Sequence, residues 1–252
     1  MKNIYIKGGK AHFNGVSIYS NIGFARVVYN KKNEQFLIRS GKYIINETKL
    51  SKVINFISKI PFIRSFVLFY NLIRNNKKTI VKIVTIYTLV LILLFKIDNE
   101  MLNKVDNLLQ NENLSYLLIV MCVSLIIKVT NISNYHGAEH MVINYYNEYN
   151  NLDFVNLKNI SRVSNSCGSV LITIIFIMFY LLNFISPYSD INLLVSYMIG
   201  YEIFISKNKI FRPIFLLSGI FQKYILTEKP TKIQLKLAAI ALKNSVGNRS
   251  SN

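Results

Sequence analysis

The chain has no tryptophan, only two cysteines, and four prolines and ten glycines in 252 residues. Two cysteines cannot staple a disulfide scaffold, and so little proline and glycine leaves small room for low-complexity linkers. Acids are also scarce: twelve Asp and Glu face thirty Lys and Arg, a formal net charge of +18. With 52% apolar residues, the chain is neither a disordered polymer nor an ordinary neutral globule. Such hydropathy is high for a basic soluble protein, and such a charge is high for a bundle buried in lipid, so the two must be segregated along the sequence.

The apolar residues concentrate after position 79. Ile83–Phe95 reads IVTIYTLVLILLF, and Leu114–Ile127 is free of charge and extends to Ile132 if the Lys128 stem snorkels. Between Arg162 and Asp190 no side chain is charged, and Ile191–Ser206 forms a shorter block carrying Glu202. Blocks near the roughly 20 residues that a bilayer requires predict four spans. Loop charges give an independent reading, because cytoplasmic loops accumulate Lys and Arg. Residues 1–82 hold sixteen bases against two acids and residues 207–252 nine against one, whereas 96–113 holds two bases and four acids. Four spans with both termini cytoplasmic place every basic region inside the cell, and the first thirty residues lack a signal-peptide core. The expected setting is therefore the cell membrane, multi-pass, with anionic lipid headgroups as the partner of the bases. Nucleic-acid binding is the rival explanation of the charge, and it is disfavoured because the aromatics lie in the apolar blocks rather than among the bases. The sequence names no protein partner.

The fold class expected is thus mainly α, a multi-pass membrane protein with about four transmembrane helices and a small N-terminal cytosolic β element. Residues 1–48 contain a hairpin signal, Phe24–Tyr29 and Glu34–Arg39 around a polar turn, while Gly8-Gly9 and Asn14-Gly15 read as two turns. Residues 49–79 resemble amphipathic interfacial helices broken at Pro61. Residues 80–206 form the four-span core, with a cytosolic site at 135–140. Residues 207–252 form a basic cytosolic segment with a re-entrant or interfacial stretch at 211–226 and a terminal helix, for which Thr231 and Gln234 offer a capping box.

Chemistry concentrates in Tyr135-His136-Gly137-Ala138-Glu139-His140, which holds two of the three histidines. Histidines at i and i+4 project from one helix face, and H-x-x-E-H lets two neutral imidazoles ligate zinc while the carboxylate takes a proton from water. The motif alone leaves equally open a polar helix end with two histidines at headgroup level. Alternating spans bring Cys167 and Glu202 to the same boundary as His136 and His140. A carboxylate within an apolar helix costs roughly 2.5 to 3.5 kcal/mol on insertion scales, so Glu202 requires a cation, either a metal or Lys128. Cys167 reads equally as a ligand or a buried thiol, and Cys122 as packing.

These residues resemble the bacterial DUF1385 family, described as predicted metal-dependent membrane enzymes. The resemblance rests on Gly8-Gly9-Lys10-Ala11 through Val16, Ile60-Pro61-Phe62-Ile63-Arg64, the intact Tyr135–His140 run, Ser161-Arg162 with Cys167-Gly168, Tyr201-Glu202, Gly219, Gln222 and Leu226–Pro230. Asn14, Met141 and Ser164-Asn165-Ser166 stand where the family usually has Glu, Lys and His-Pro-Arg, marking a divergent member. His12 falls where the family has an apolar residue and reads as surface.

The functional expectation is a metal-dependent hydrolase at the cytoplasmic membrane face. Its cofactor would be a divalent metal, zinc by ligand type, held by His136 and His140 with Glu202 as the stronger third ligand and Cys167 as the weaker, and Glu139 would be its general base. The alternative is a non-enzymatic membrane adaptor or regulator with a structural or sensory metal site.

Overall fold

The computed structural model describes residues 4–43, 49–75, 77, 81, 85, 88, 112–154, 157–186 and 188–247. Its chain divides into two compact units: Met1–Asn46, Cys122–Thr173 and Asn208–Asn252 form the first, and Glu47–Met121 with Ile174–Lys207 the second.

The first unit is built on an antiparallel meander of four strands, β1 (Ile6–His12), β2 (Gly15–Ser20), β3 (Gly23–Asn30) and β4 (Gln35–Lys42), in sequence order across the sheet. The hairpin read from Phe24–Tyr29 and Glu34–Arg39 is β3–β4, which pair from Gly23 with Lys42 to Asn30 with Gln35. Asn14-Gly15 lies at the β1–β2 turn, where His12 pairs with Gly15. Gly8-Gly9, expected as a turn, instead lies within β1. The register shifts between Ile6 and Gly8, and Gly8 takes φ 151°, a left-handed value that favours glycine.

Alternation along the strands buries Val16, Ile18, Ala25 and Val27 completely, and these residues face two helices. The first is α4 (Ile132–Tyr149) and the second α8 (Lys232–Ser245). Tyr135, Ala138, Val142, Leu237, Ala238, Ala241 and Leu242 complete the core with the sheet. Helix α8 begins with the expected capping box, Thr231 accepting from the Gln234 N–H while the Gln234 side chain accepts from the Thr231 N–H. Its far end is tied to the sheet by Ser20 Oγ, which donates to the Ser245 carbonyl at 2.6 Å.

Helices α1 (Lys49–Ile57) and α2 (Arg64–Asn75) are separated by the segment containing Pro61, as the sequence predicts. They belong to the second unit with α6 (Ser189–Ser206) and most of α5 (Gly168–Ile185). Within it, Tyr197 Oη donates to the Ser65 carbonyl at 2.7 Å and Phe69 meets the Tyr197 ring edge-on. The remaining helices among the described residues are α3 (Glu112–Val129) and α7 (Arg212–Phe221), the latter continuing into a π turn, Gln222–Leu226.

The expected four-span, mainly α class is corrected. Among the described residues eight α-helices accompany a four-stranded sheet, and only α5 is long and apolar enough to cross a membrane. Almost all of the first expected span, Ile83–Phe95, lies outside the described residues. In α3 the apolar stretch among the described residues is Val120–Val129, and in α6 Asp190, Asn192, Ser196 and Glu202 dilute the apolar run. Counting apolar blocks over-read the sequence because a block of that length also serves an ordinary helix.

Candidate metal centre

Helix α4 is buried nearly all round, and its polar stripe determines the site. His136, His140 and Asn144 recur every four residues, so they lie one above another on a single face. Each meets a backbone carbonyl of an irregular segment, where carbonyls lack a helical or sheet partner. The Nδ1 of His140 is 2.6 Å from the Arg162 carbonyl, and the Nδ1 of His136 is 3.2 Å from the carbonyl of Leu226, the last residue of the π turn. Asn144 donates to the carbonyls of Ser161 at 2.9 Å and Val163 at 2.8 Å. A carbonyl only accepts, so both histidines carry their proton on Nδ1 and present Nε2 to the other side.

On that side lies Cys167, immediately before α5, with its Sγ 3.4 Å from His136 Nε2. Ser169 Oγ donates to the same sulfur at 3.2 Å. One ligand atom each from His136, His140 and Cys167 fall within 4.8 Å of one another. Two donors sharing a tetrahedral zinc with bonds near 2.1 and 2.3 Å lie about 3.6 Å apart, so the His136–Cys167 spacing fits the ion. The loop bearing Cys167 is held by Gln222, fully buried, which accepts from the Ser164 N–H at 3.0 Å and donates to its carbonyl at 3.2 Å.

The electrostatics follow from this packing. Burial would raise the Cys167 thiol, but the hydrogen bonds and positive charge of His136 and His140 outweigh it and favour the thiolate. Burial likewise opposes a charge on His136, and the Cys167 sulfur reverses that, favouring the imidazolium. Each partner thus favours the charged form of the other.

Glu139, one residue before His140, is buried against β1. A Cβ placed on Gly9 would lie 2.5 Å from its Oε1, so the strand admits this carboxyl only where it has no side chain. Burial raises the Glu139 pKa, and His140 and His136 partly offset that. Gly137 serves a similar end, since its Cβ would meet the Glu228 carbonyl at 2.3 Å.

Of the four expected ligands, His136, His140 and Cys167 come together. Glu202 belongs to the second unit, where its Oε1 accepts from Arg64 Nε and from the Phe62 N–H, each at 2.8 Å. Its cation is thus Arg64 rather than Lys128, which pairs with Glu228. His12 bonds to Ser17 at 2.8 Å and stands outside the cluster. Both cysteines are free thiols, and Cys122, expected to pack, is exposed. Sequence reading missed Asn144, although its place at i+4 from His140 announced it. Gly9 as the cradle of Glu139 carried no such signal, because the contact joins residues 130 positions apart.

Fold and cluster together define a class: an α+β chain in which a sheet-backed helix presents two imidazoles to a cysteine at the head of an apolar helix. The family described as Protein of unknown function (DUF1385) matches residues 29–248, most of the chain, and the protein belongs to that family. Comparison with curated proteins and with solved structures finds no match.

Proposed function

We propose that His136, His140 and Cys167 hold a divalent metal ion, zinc by the mixed nitrogen and sulfur donor set, and that Glu139 is the proton acceptor for a hydrolysis at a membrane surface. The observation that carries this reading is the convergence of three ligand atoms within 4.8 Å, with both Nδ1 atoms already committed to carbonyls. Such outer hydrogen bonds fix a ligating histidine in its tautomer and orientation. Three protein donors, rather than the four of a closed structural site, leave a position for a reactant. When bound, the ion would supply Lewis acidity, polarising a carbonyl or phosphoryl oxygen. Glu139, held between Gly9 and the imidazoles, is placed to take the proton, and burial keeps bulk water from competing.

Membrane placement is supported by α5, whose length and composition suffice for a crossing, and by α7, which exposes Leu216, Leu217 and Ile220 while burying Phe215 and Ser218. Arg212 and Lys223 border that apolar face, a pattern suited to anionic headgroups. Strands β1–β4 and helix α8 share one core, so both lie on one side of the bilayer, the cytoplasmic one by their excess of bases.

Elemental analysis of detergent-purified protein tests the metal reading. About one zinc per chain is expected in the wild type and in Glu139→Gln, and none in the His136→Ala/His140→Ala double variant. Equal metal in wild type and double variant would overturn it. A second reading, favoured by the 3.4 Å Sγ–Nε2 contact, is a cysteine nucleophile activated by His136. In a Cys122→Ser background, iodoacetamide labelling of Cys167 separates the two: zinc protects the sulfur in the first reading and is irrelevant in the second.

A further inference from the structure

Beside the cluster lies a cavity of about 620 Å³ whose cationic wall is Arg162, Lys223 and Lys229 and whose apolar wall includes Met141, Ile160 and Leu235. Among the described residues no Asp or Glu lines it. The adjacent Glu228 pairs with Lys128 and its charge also acts on Arg162, so one carboxylate at the rim offsets part of the positive charge and Lys223 and Lys229 stay in excess. A depression walled by one sign of charge concentrates the opposite ion.

Arg162 joins the cavity to the metal centre. Its carbonyl receives His140 Nδ1 at 2.6 Å, and its Nη1 donates to the Thr227 carbonyl at 3.1 Å, which leaves the other guanidinium donors for a ligand. Asn144 pins the residues on either side of it, Ser161 and Val163, to α4. The wall that faces the cavity is therefore the wall that orients a ligating histidine. A second depression, lined by Lys232, Lys236 and Lys243, is also basic, but it contains Asp153 and shares no residue with the cluster or its supporting loop.

We infer that the Arg162–Lys223–Lys229 cavity binds a phosphate group of the substrate, with Met141, Ile160 and Leu235 receiving its apolar part. Three full cations exceed what one carboxylate would neutralise, and Arg with Lys is the recurrent pair for phosphate. The inference rests on the metal-dependent reading for the claim that this anion belongs to the substrate, whereas the binding itself needs no metal.

Calorimetric titration of the full chain in neutral detergent tests it, with inorganic phosphate and a short-chain phosphatidate as separate probes. Wild type should bind at least one of them, Lys223→Ala/Lys229→Ala should bind it at least tenfold more weakly, and Lys232→Ala/Lys236→Ala should match wild type. All four lysines are on the surface, so folding is spared. Binding of both probes assigns a free phosphate group, and binding of the phosphatidate alone assigns a lipid headgroup. No binding by wild type, or equal weakening in both double variants, would overturn the inference. Zinc analysis of the same samples keeps the two questions apart: His136→Ala/His140→Ala should lose metal and retain the phosphate isotherm.

Discussion

The two units handle similar apolar residues in opposite ways. In the first, Val16, Ile18, Val27, Leu237 and Leu242 are wholly buried between sheet and helices. In the second, large apolar side chains face outward, with Phe184 93% and Ile185 80% exposed. Apolar surface left in contact with water is unfavourable at about 25 cal/mol per Å², so the outward side chains of α5, like those of α7 in the first unit, gain from an apolar surrounding that the core between sheet and helices does not need. Two glutamates repeat the contrast. Glu139 is enclosed by the sheet and accompanied by imidazoles, whereas Glu202 is partly exposed and satisfied by a guanidinium. The His136–His140–Cys167 cluster sits in the unit that holds the sheet-and-helix core, because a packed scaffold holds several side chains to a shared point.

The comparison can be broken most directly by truncating one side chain in each unit. Leu237→Ala should destabilise the first unit by about 2–5 kcal/mol, read as a lowered thermal midpoint in detergent. Phe184→Ala should leave that midpoint unchanged, and an equal loss in both would mean that the outward face of α5 is a packed surface. A smaller effect is expected at the Glu139 cradle. Gly9→Ala forces a methyl against the carboxyl and should cost about 1–3 kcal/mol, while adding Glu139→Ala should recover part of the loss. Strict additivity of the two changes would show that strand and carboxyl do not touch. The smallest effect belongs to Glu202→Gln, which removes a partly exposed ion pair worth about 0–1 kcal/mol and should leave zinc content unaltered. Loss of zinc in that variant would return Glu202 to the ligand set.

Local signals were legible where a short-range rule governs. The β3–β4 hairpin, the break at Pro61 and the capping box at Thr231 each depend on residues a few positions apart, and each is where the sequence predicts it. The i, i+4 histidine pair was legible for the same reason. The order of strands before Phe24 was less so, since Gly8-Gly9 reads as a turn when seen alone and as an irregular strand once β2 pairs with it. The span count failed because hydropathy reports that a segment avoids water and does not say whether protein or lipid receives it.

By itself, then, the sequence determined the helical phase of His136, Glu139 and His140, the separation of basic ends from an apolar middle, and the caps and breaks of the helices. These are properties of neighbours along the chain, fixed by backbone geometry and local solvation. Tertiary structure alone decided that Cys167 rather than Glu202 reaches the imidazoles and that Gly9 makes room for Glu139. Such pairings join residues far apart in sequence, and they exist only after the sheet and α8 have closed over α4, since no local preference can specify which distant segment will supply a carbonyl, a thiol or a bare strand.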